Sequence, residues 1–322
     1  MNKPLCLISG PVFNRSGYGD WATSIAKSII RYDKFDVKIA PTRWGNCQSK
    51  RFLDDLTDPE DKILASKFLQ GNLNKQPDVF VQLTIPEEFQ AVGKYNIGMT
   101  AGIETTVCDA PWLEGCNRMD LTLVSSQHAK AVLQSTSYGK KENPNETIKL
   151  EKPIEVLFEG ADLNKYFFIV DKELPQTDLV LDLDKIKEKF CYLFVGHWLQ
   201  GEFGEDRKNV GKMIHTFLET FKGKKTKPAL ILKTSSSTSC IMDREEILKK
   251  VDAIRNSIQG SDLPNIYVLH GDLDDEDMNN LYNHPKVKAM ISFAKGEGYG
   301  RPLAEFCLSK KPVIASGWSG QI

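Results

Sequence analysis

The sequence predicts an α/β protein made of two parallel-sheet domains, and three observations carry that expectation. Short apolar runs rich in Val, Ile, Leu and Phe alternate with helical patterns, as strands buried on both faces of a parallel sheet do. The series starts afresh in mid-chain after an irregular, charge-rich stretch. At 322 residues the chain exceeds one typical core and suits two domains of about 150 residues each.

In the first half the expected strands span 4–9, 35–40, 78–83, 95–100, 121–125 and 154–158. The second series opens at "FCYLFVG" (190–196) and continues through "ALILK" (229–233), "IYVLH" (266–270), "VKAMISF" (287–293) and "PVIAS" (312–316). Helices fall between them. Val210, Met213, Ile214, Phe217, Leu218 and Phe221 repeat at helical spacing, as do Ile247, Leu248, Val251, Ile254 and Ile258, and both stripes are expected core. Residues 1–165 are therefore expected as an amino-terminal domain and 189–322 as a carboxyl-terminal one. Residues 166–188, irregular and charge-rich, are expected as the linker.

Composition narrows the function classes. Apolar residues make up 41% and charged residues 26%, a globular balance, and no apolar run approaches the length of about 20 residues that spans a bilayer. The first strand begins at once, with no export signal before it, and the seven cysteines are scattered without CxxC spacing. A reduced, cytoplasmic protein is the expectation. A formal charge of -1 supplies no global field for nucleic acid, and "FKGKKTK" (221–227) is at most a local basic patch. The five histidines show no ligand spacing with one another or with cysteine, so no metal is required. Asp182 and Asp184, and Asp272 and Asp274, have a D-x-D form, but the first pair lies in the expected linker and the second precedes a helix, where aspartates cap. No G-x-G-x-x-G fingerprint follows the first strand, which argues against hydride transfer.

The chemistry gathers at the carboxyl ends of the expected strands, where open α/β sheets bind ligands. In "AKGEGYGRPLAEFCLSKKPVIAS" (294–316) a strand runs into Gly296-Glu297-Gly298-Tyr299-Gly300, and Pro302 marks a helix start. Glycines let backbone approach a ligand, and a helix N-terminus favours an anion. Carboxylates beside a phosphate repel it unless they face hydroxyls. Glu297 could hold a hexose and Glu305, one turn into the helix, a ribose. The alternative is that Glu297 is a solvated loop residue and Glu305 complements the helix dipole. Lys208 sits at the start of an amphipathic helix after a strand, near the helix dipole and free N–H groups that favour an anion. Arg207 beside it could equally pair with Glu205 or Asp206 on the surface. Gly17 and Gly19 in "RSGYG" read either as a ligand-approach loop or as a structural helix start.

"GEGYGRPLAEFCLSKKPVIASGWSG" resembles the donor-site segment of retaining GT-B glycosyltransferases, particularly family four, whose pattern is E-G-[FY]-G-x-P-x-x-E. "FVGHWLQGEFGEDRKNVGKMIHTFLETF", "IEVLFEGADLNKYF", "GPVFNRSGYGDWATSIAKSI" and "GIETTVCDAPWLEGCNRMDLTLVSSQHAKAVL" resemble further segments of that family. The resemblance implies two Rossmann-like domains facing a cleft, with the first on the acceptor side and the second binding a nucleotide-sugar. It implies that Lys208 neutralises the donor diphosphate, Glu297 holds the transferred sugar and Glu305 binds the ribose, with backbone donors from Gly298, Tyr299 and Gly300. Gly17 approaches the donor or acceptor, and Glu104 is an acceptor-side or catalytic carboxylate. His197 stands where many relatives have arginine, and Ile103 where the W-E-T pattern has tryptophan. The chain stops at "SGWSGQI" where the family continues, so a carboxyl-terminal domain incomplete at its end is expected. The expected activity is retaining transfer from a nucleotide-sugar, which is a substrate, to a hydroxyl acceptor on a glycan, lipid or small molecule, without cofactor. The alternatives are a phage-type enzyme acting on modified DNA bases, which the net charge does not favour, and a non-catalytic nucleotide-sugar-binding protein.

Overall fold

The structure is a computed structural model that describes residues 3–45, 47, 56, 58–139, 146–199, 203–236 and 240–322. The chain divides into two units, Met1–Glu159 and Gly160–Ile322.

The first unit runs β1 (Leu5–Gly10), α1 (Gly17–Tyr32), β2 (Asp36–Pro41), α2 (Pro59–Ser66), β3 (Val79–Leu83), β4 (Tyr95–Thr100), α3 (Ala110–Arg118), β5 (Leu121–Val124), α4 (Gln127–Ser135), β6 (Ser137–Gly139), β7 (Thr147–Lys149) and β8 (Ile154–Val156). Six strands form a parallel sheet in the order β2-β1-β3-β4-β5-β8. Ile8, Trp21, Ile39, Leu64 and Leu83 close one core beneath α1 and α2. Leu113, Met119, Val124 and Leu133 close a second with α3 and α4. The antiparallel hairpin β6-β7 was not foreseen: its three-residue strands are largely exposed and offer no apolar run to read.

The second unit runs α5 (Asp178–Asp184), β9 (Cys191–Val195), α6 (Val210–Phe221), β10 (Ala229–Lys233), α7 (Ile241–Ser257), β11 (Ile266–Leu269), α8 (Asp275–Asn283), β12 (Val287–Ser292), α9 (Arg301–Cys307) and β13 (Val313–Ala315). Its sheet is parallel, in the order β11-β10-β9-β12-β13. Strand alternation feeds two cores: Leu230 and Leu232 join Met213, Phe217 and Ile247, while Ala229 and Ile231 join Leu281, Tyr282 and Phe306. Asp274 caps α8 by accepting from the Asp277 N–H at 2.8 Å, as expected of it.

Residues 166–188 are not the irregular linker that their charge suggested. The division between the units falls after Glu159, and this segment is built into the second unit. Tyr166, Leu179, Leu183 and Ile186 are buried against Leu281 and Tyr282. The backbone of Phe167 and Ile169 donates to Asn279 and Asn283 at 3.2 and 2.8 Å. Lys286 Nζ donates to the carbonyls of Leu183, Asp184 and Ile186, closing the carboxyl end of α5. In "DLVLDLD" the aspartates ride on an amphipathic helix; Asp182 and Asp184 thus sit on α5 rather than in a loop.

Candidate functional site

Each sheet changes direction of winding once. In the second unit the change lies between β9 and β12, whose outer neighbours are β10 and β13. Loops leaving the carboxyl ends of such neighbouring strands part to either side and leave a crevice, the usual ligand position in an open α/β sheet. The loop after β9 carries His197, Arg207 and Lys208, and the loop after β12 carries Glu297.

These residues are in contact. Lys208 Nζ donates to Glu297 Oε1, and Arg207 Nη1 lies 3.4 Å from Glu297 Oε2 and 3.1 Å from the Gly296 carbonyl. The Lys208 and Glu297 side chains are 14% and 10% exposed, so the pair is largely removed from water. Glu297 is therefore not a solvated loop residue. Nor is Arg207 occupied by Asp206 on the surface. Asp206 is buried and accepts from the Val210 N–H at 3.0 Å at the start of α6, which turns Arg207 toward the β12 loop. Two cations converge on this carboxylate, and paired cations of this kind suit an anionic ligand. The His197 side chain is exposed, and loss of hydration first and then the Lys208 ammonium hold its pKa below the ordinary value. Its Nδ1 meets Ser235 Oγ at 3.1 Å.

The loop beyond β10 that carries Ser235 is braced from beneath, which no sequence signal announced. Buried Asp243 accepts from the Ser236 backbone N–H at 3.2 and 3.1 Å, and lies 2.7 Å from His270 Nε2. The α7, β10 and β11 ends are thereby tied together.

Gly300 caps α9 at φ 85°, a conformation that glycine adopts without steric cost, and Pro302 is the second residue of that helix. Tyr299 OH accepts from the Gly160 N–H at 3.2 Å. Glu305 lies beyond the first turn of α9, so the dipole explanation does not describe it. It is 8% exposed, 3.3 Å from Arg301 Nε and Nη2, and 3.5 Å from Tyr282 OH. Burial and then the Glu305 charge raise the Tyr282 pKa well above its usual value.

Gly17 and Glu104 lie in the first unit. A Cβ on Gly19 would fall 2.1 Å from the Asn14 carbonyl oxygen, whereas one on Gly17 would meet nothing within 4 Å. Gly19 is thus required by packing and Gly17 is not, which separates two glycines that the motif treated alike. Ser16 caps α1 by accepting from the Gly19 N–H at 3.0 Å. Tyr18 OH bonds Thr100 Oγ1 at 2.8 Å and accepts from the Ala101 N–H at 2.9 Å, tying α1 to the end of β4, from which the Glu104 loop departs. Burial first, with Glu104 contributing, pushes the Tyr18 pKa up to about 12. Among the described residues no group of three or more His, Cys, Asp or Glu side chains is placed to hold a metal ion, and no helix is long and apolar enough to cross a membrane.

No protein-family model and no curated protein matches the chain. Solved structures do. Sucrose-phosphate synthase from Thermosynechococcus elongatus aligns with 99% of this chain and 82% of its own, at 13% identity and a TM-score of 0.60. The catalytic domain of starch synthase IV from Arabidopsis thaliana, bound to ADP and acarbose, aligns with 99% of this chain and 84% of its own, at 11% identity and a TM-score of 0.59. An E. coli trehalose-6-phosphate structure bound with UDP-2-fluoro glucose aligns with 98% and 85%, at 12% identity and a TM-score of 0.57. The two parallel α/β units are Rossmann-like, and the chain has the GT-B fold.

Proposed function

We propose that the protein is a retaining glycosyltransferase that moves a sugar from a nucleotide-sugar to a hydroxyl acceptor. The observation that carries this reading is the cluster of Arg207, Lys208 and Glu297 at the β9/β12 switch point, two cations and a carboxylate on adjoining loops. A diphosphate suits the cations and a sugar hydroxyl suits the carboxylate.

In this reading the donor diphosphate takes Lys208 and Arg207 from Glu297, and Glu297 turns to the hydroxyls of the sugar. Glu305 accepts from the ribose hydroxyls. The acceptor oxygen attacks the anomeric carbon on the face from which the diphosphate departs. The carbon–oxygen bond to the phosphate breaks as the new glycosidic bond forms, and the acceptor proton passes to the departing phosphate oxygen. Charge on the leaving group grows along this path, so Lys208 stabilises the transition state more than the bound donor. Glu104 serves the acceptor side, and Gly17 approaches the donor or the acceptor. The chain's part is to position reactants and neutralise the leaving group, without a protein nucleophile, metal or cofactor.

The test is a screen of UDP-, ADP- and GDP-sugars for thermal stabilisation, since a ligand bound by the folded state alone raises stability with its concentration. The stabilising donor is then incubated with sugar and sugar-phosphate acceptors, and the anomeric configuration of the product is read by NMR. Inversion would reject the mechanism, and no stabilisation by any donor would reject the reading. A donor that stabilises without transfer or hydrolysis would leave a binding protein. Glu305→Ala should weaken the nucleoside diphosphate and its sugar conjugate alike, by about 1–3 kcal/mol for a lost charged hydrogen-bond pair.

A further inference from the structure

Ser319 holds φ 71°, in the left-handed region that side chains other than glycine seldom occupy, and is 3% exposed. Such a conformation costs about 1 kcal/mol or more and persists where surrounding contacts impose it. Here the contacts are with Glu297. The Glu297 N–H donates to Ser319 Oγ at 3.2 Å, and Ser319 Oγ donates to the Glu297 carbonyl at 3.0 Å. The next residue's N–H, that of Gly320, donates to the same carbonyl at 3.0 Å. Gly320 lies so close that a Cβ there would fall 2.0 Å from the Gly298 carbonyl oxygen.

The same strap holds the residues leading to Glu297. Ser316 Oγ donates to the Ala294 carbonyl at 3.0 Å, and Trp318 Nε1 to that of Lys295 at 2.6 Å. Arg207 takes the Gly296 carbonyl from the other side. Four successive carbonyls, 294 to 297, are each held by a group from another loop. The Ser319 hydroxyl grips both the N–H and the carbonyl of Glu297.

We infer that Ser319 is a positioning residue for Glu297: its hydroxyl fixes the main chain from which the carboxylate reaches the transferred sugar. This rests on the reading of Glu297 as the sugar-binding group. Ser319 acts on the main chain of Glu297 and not on its carboxylate, and it is bonded to neither Arg207 nor Lys208 among the contacts of its hydroxyl.

The test uses the full chain with UDP against UDP-glucose, or ADP against ADP-glucose if the adenine nucleotide is the one bound. Ser319→Gly keeps the left-handed backbone and removes the hydroxyl. Calorimetry should show nucleoside diphosphate affinity no more than about twofold below the parent, because neither cation is altered. Affinity for the sugar conjugate and kcat/KM for transfer should fall roughly tenfold or more, as misplacing a positioning group does. Ser319→Asn, which also tolerates the left-handed region, provides the same comparison if the glycine variant folds poorly. A loss shared equally by diphosphate and conjugate would make the strap merely structural, and an unchanged ratio with unchanged kcat/KM would also overturn the inference. If the parent binds no nucleoside diphosphate, the donor-site reading itself fails, and that result is distinct from both.

Discussion

Lys208 and Glu297 are bonded to each other: the ammonium donates to Oε1 of the carboxylate, with Arg207 on the other oxygen. The two groups expected to grip different parts of one donor are thus each other's partners. In the proposed reading this internal carboxylate competes with the donor diphosphate for the two cations. It also avoids leaving an unpaired cation largely out of water, which would be expensive.

That pairing gives Glu297→Gln an unusual expected outcome. Folded stability should fall by about 1–3 kcal/mol, because the partly buried Lys208 loses its charged partner. Nucleoside diphosphate affinity should rise severalfold, because no carboxylate contests the cations, while transfer of the sugar falls. Calorimetry with UDP and ADP, set beside transfer rates, reads both arms. A drop in diphosphate affinity in this variant would mean that Glu297 does not compete for that site.

The two glycines at the start of α1 should part company on substitution. Gly19→Ala sets a methyl against the Asn14 backbone and should destabilise by about 1–3 kcal/mol or more, the range for overpacking. Gly17→Ala meets open space in a helical turn and should leave stability within about 0.5 kcal/mol or raise it. If Gly17 gives a ligand close access to the backbone, the same variant should lose transfer activity severalfold despite intact folding. Urea denaturation and transfer assays on both variants decide this. Full activity in Gly17→Ala would return that glycine to an ordinary helix start.

Burial depresses the pKa of His284, which is 1% exposed, below its ordinary 6.5. Its Nδ1 accepts from the Lys286 N–H at 3.3 Å, a role only the neutral ring can fill, and the carboxylate of Asp184 and the charges of Lys286 and Lys311 act on it as well. A depressed folded pKa means that the unfolded chain binds the proton more readily. The stability this contributes is fully present above pH 6.5 and is lost as pH falls through the lower folded pKa. Urea midpoints compared at pH 7.5 and 5.5 should therefore fall less steeply in His284→Gln than in the parent. An identical pH slope in both proteins would assign the acid sensitivity elsewhere.

The legible parts of this protein were those written as local patterns. Parallel strands appear as unbroken apolar runs, so β1 to β5 and β9 to β13 fell within one residue of their expected ends. Lys208 and Glu297 stood out because glycines, a proline and a helix start surround them. What the sequence hid was pairing at long range. Arg207 finds Glu297 across 90 positions and not the aspartate beside it, since Asp206 is spent on the start of α6. Ser319 works through main-chain atoms from a left-handed backbone, which leaves no residue-type signature in "SGWSGQI". The alternating aspartates of "DLVLDLD" masked a buried stripe of Leu179, Val180 and Leu183.

That hidden stripe sets the boundary of the second unit, with a consequence for dissection of the chain. A fragment of residues 160–322 retains Tyr166, Leu179, Leu183 and Ile186 over Leu281 and Tyr282, together with the Lys286 closure of α5. A fragment of 189–322, cut where charge alone places the domain start, loses all four apolar side chains. Each is worth roughly 1.5–3 kcal/mol when buried, taken as an upper estimate, and that sum rivals the whole stability of a typical domain. The longer fragment should unfold cooperatively in urea. The shorter should bind a hydrophobic dye and lack a sharp transition, because Tyr282 and its neighbours face water. The longer fragment should also keep nucleoside diphosphate binding, since Arg207, Lys208, Glu297 and Glu305 all lie within it. Equal cooperativity in the two fragments would show that residues 160–188 decorate the second unit without completing its core.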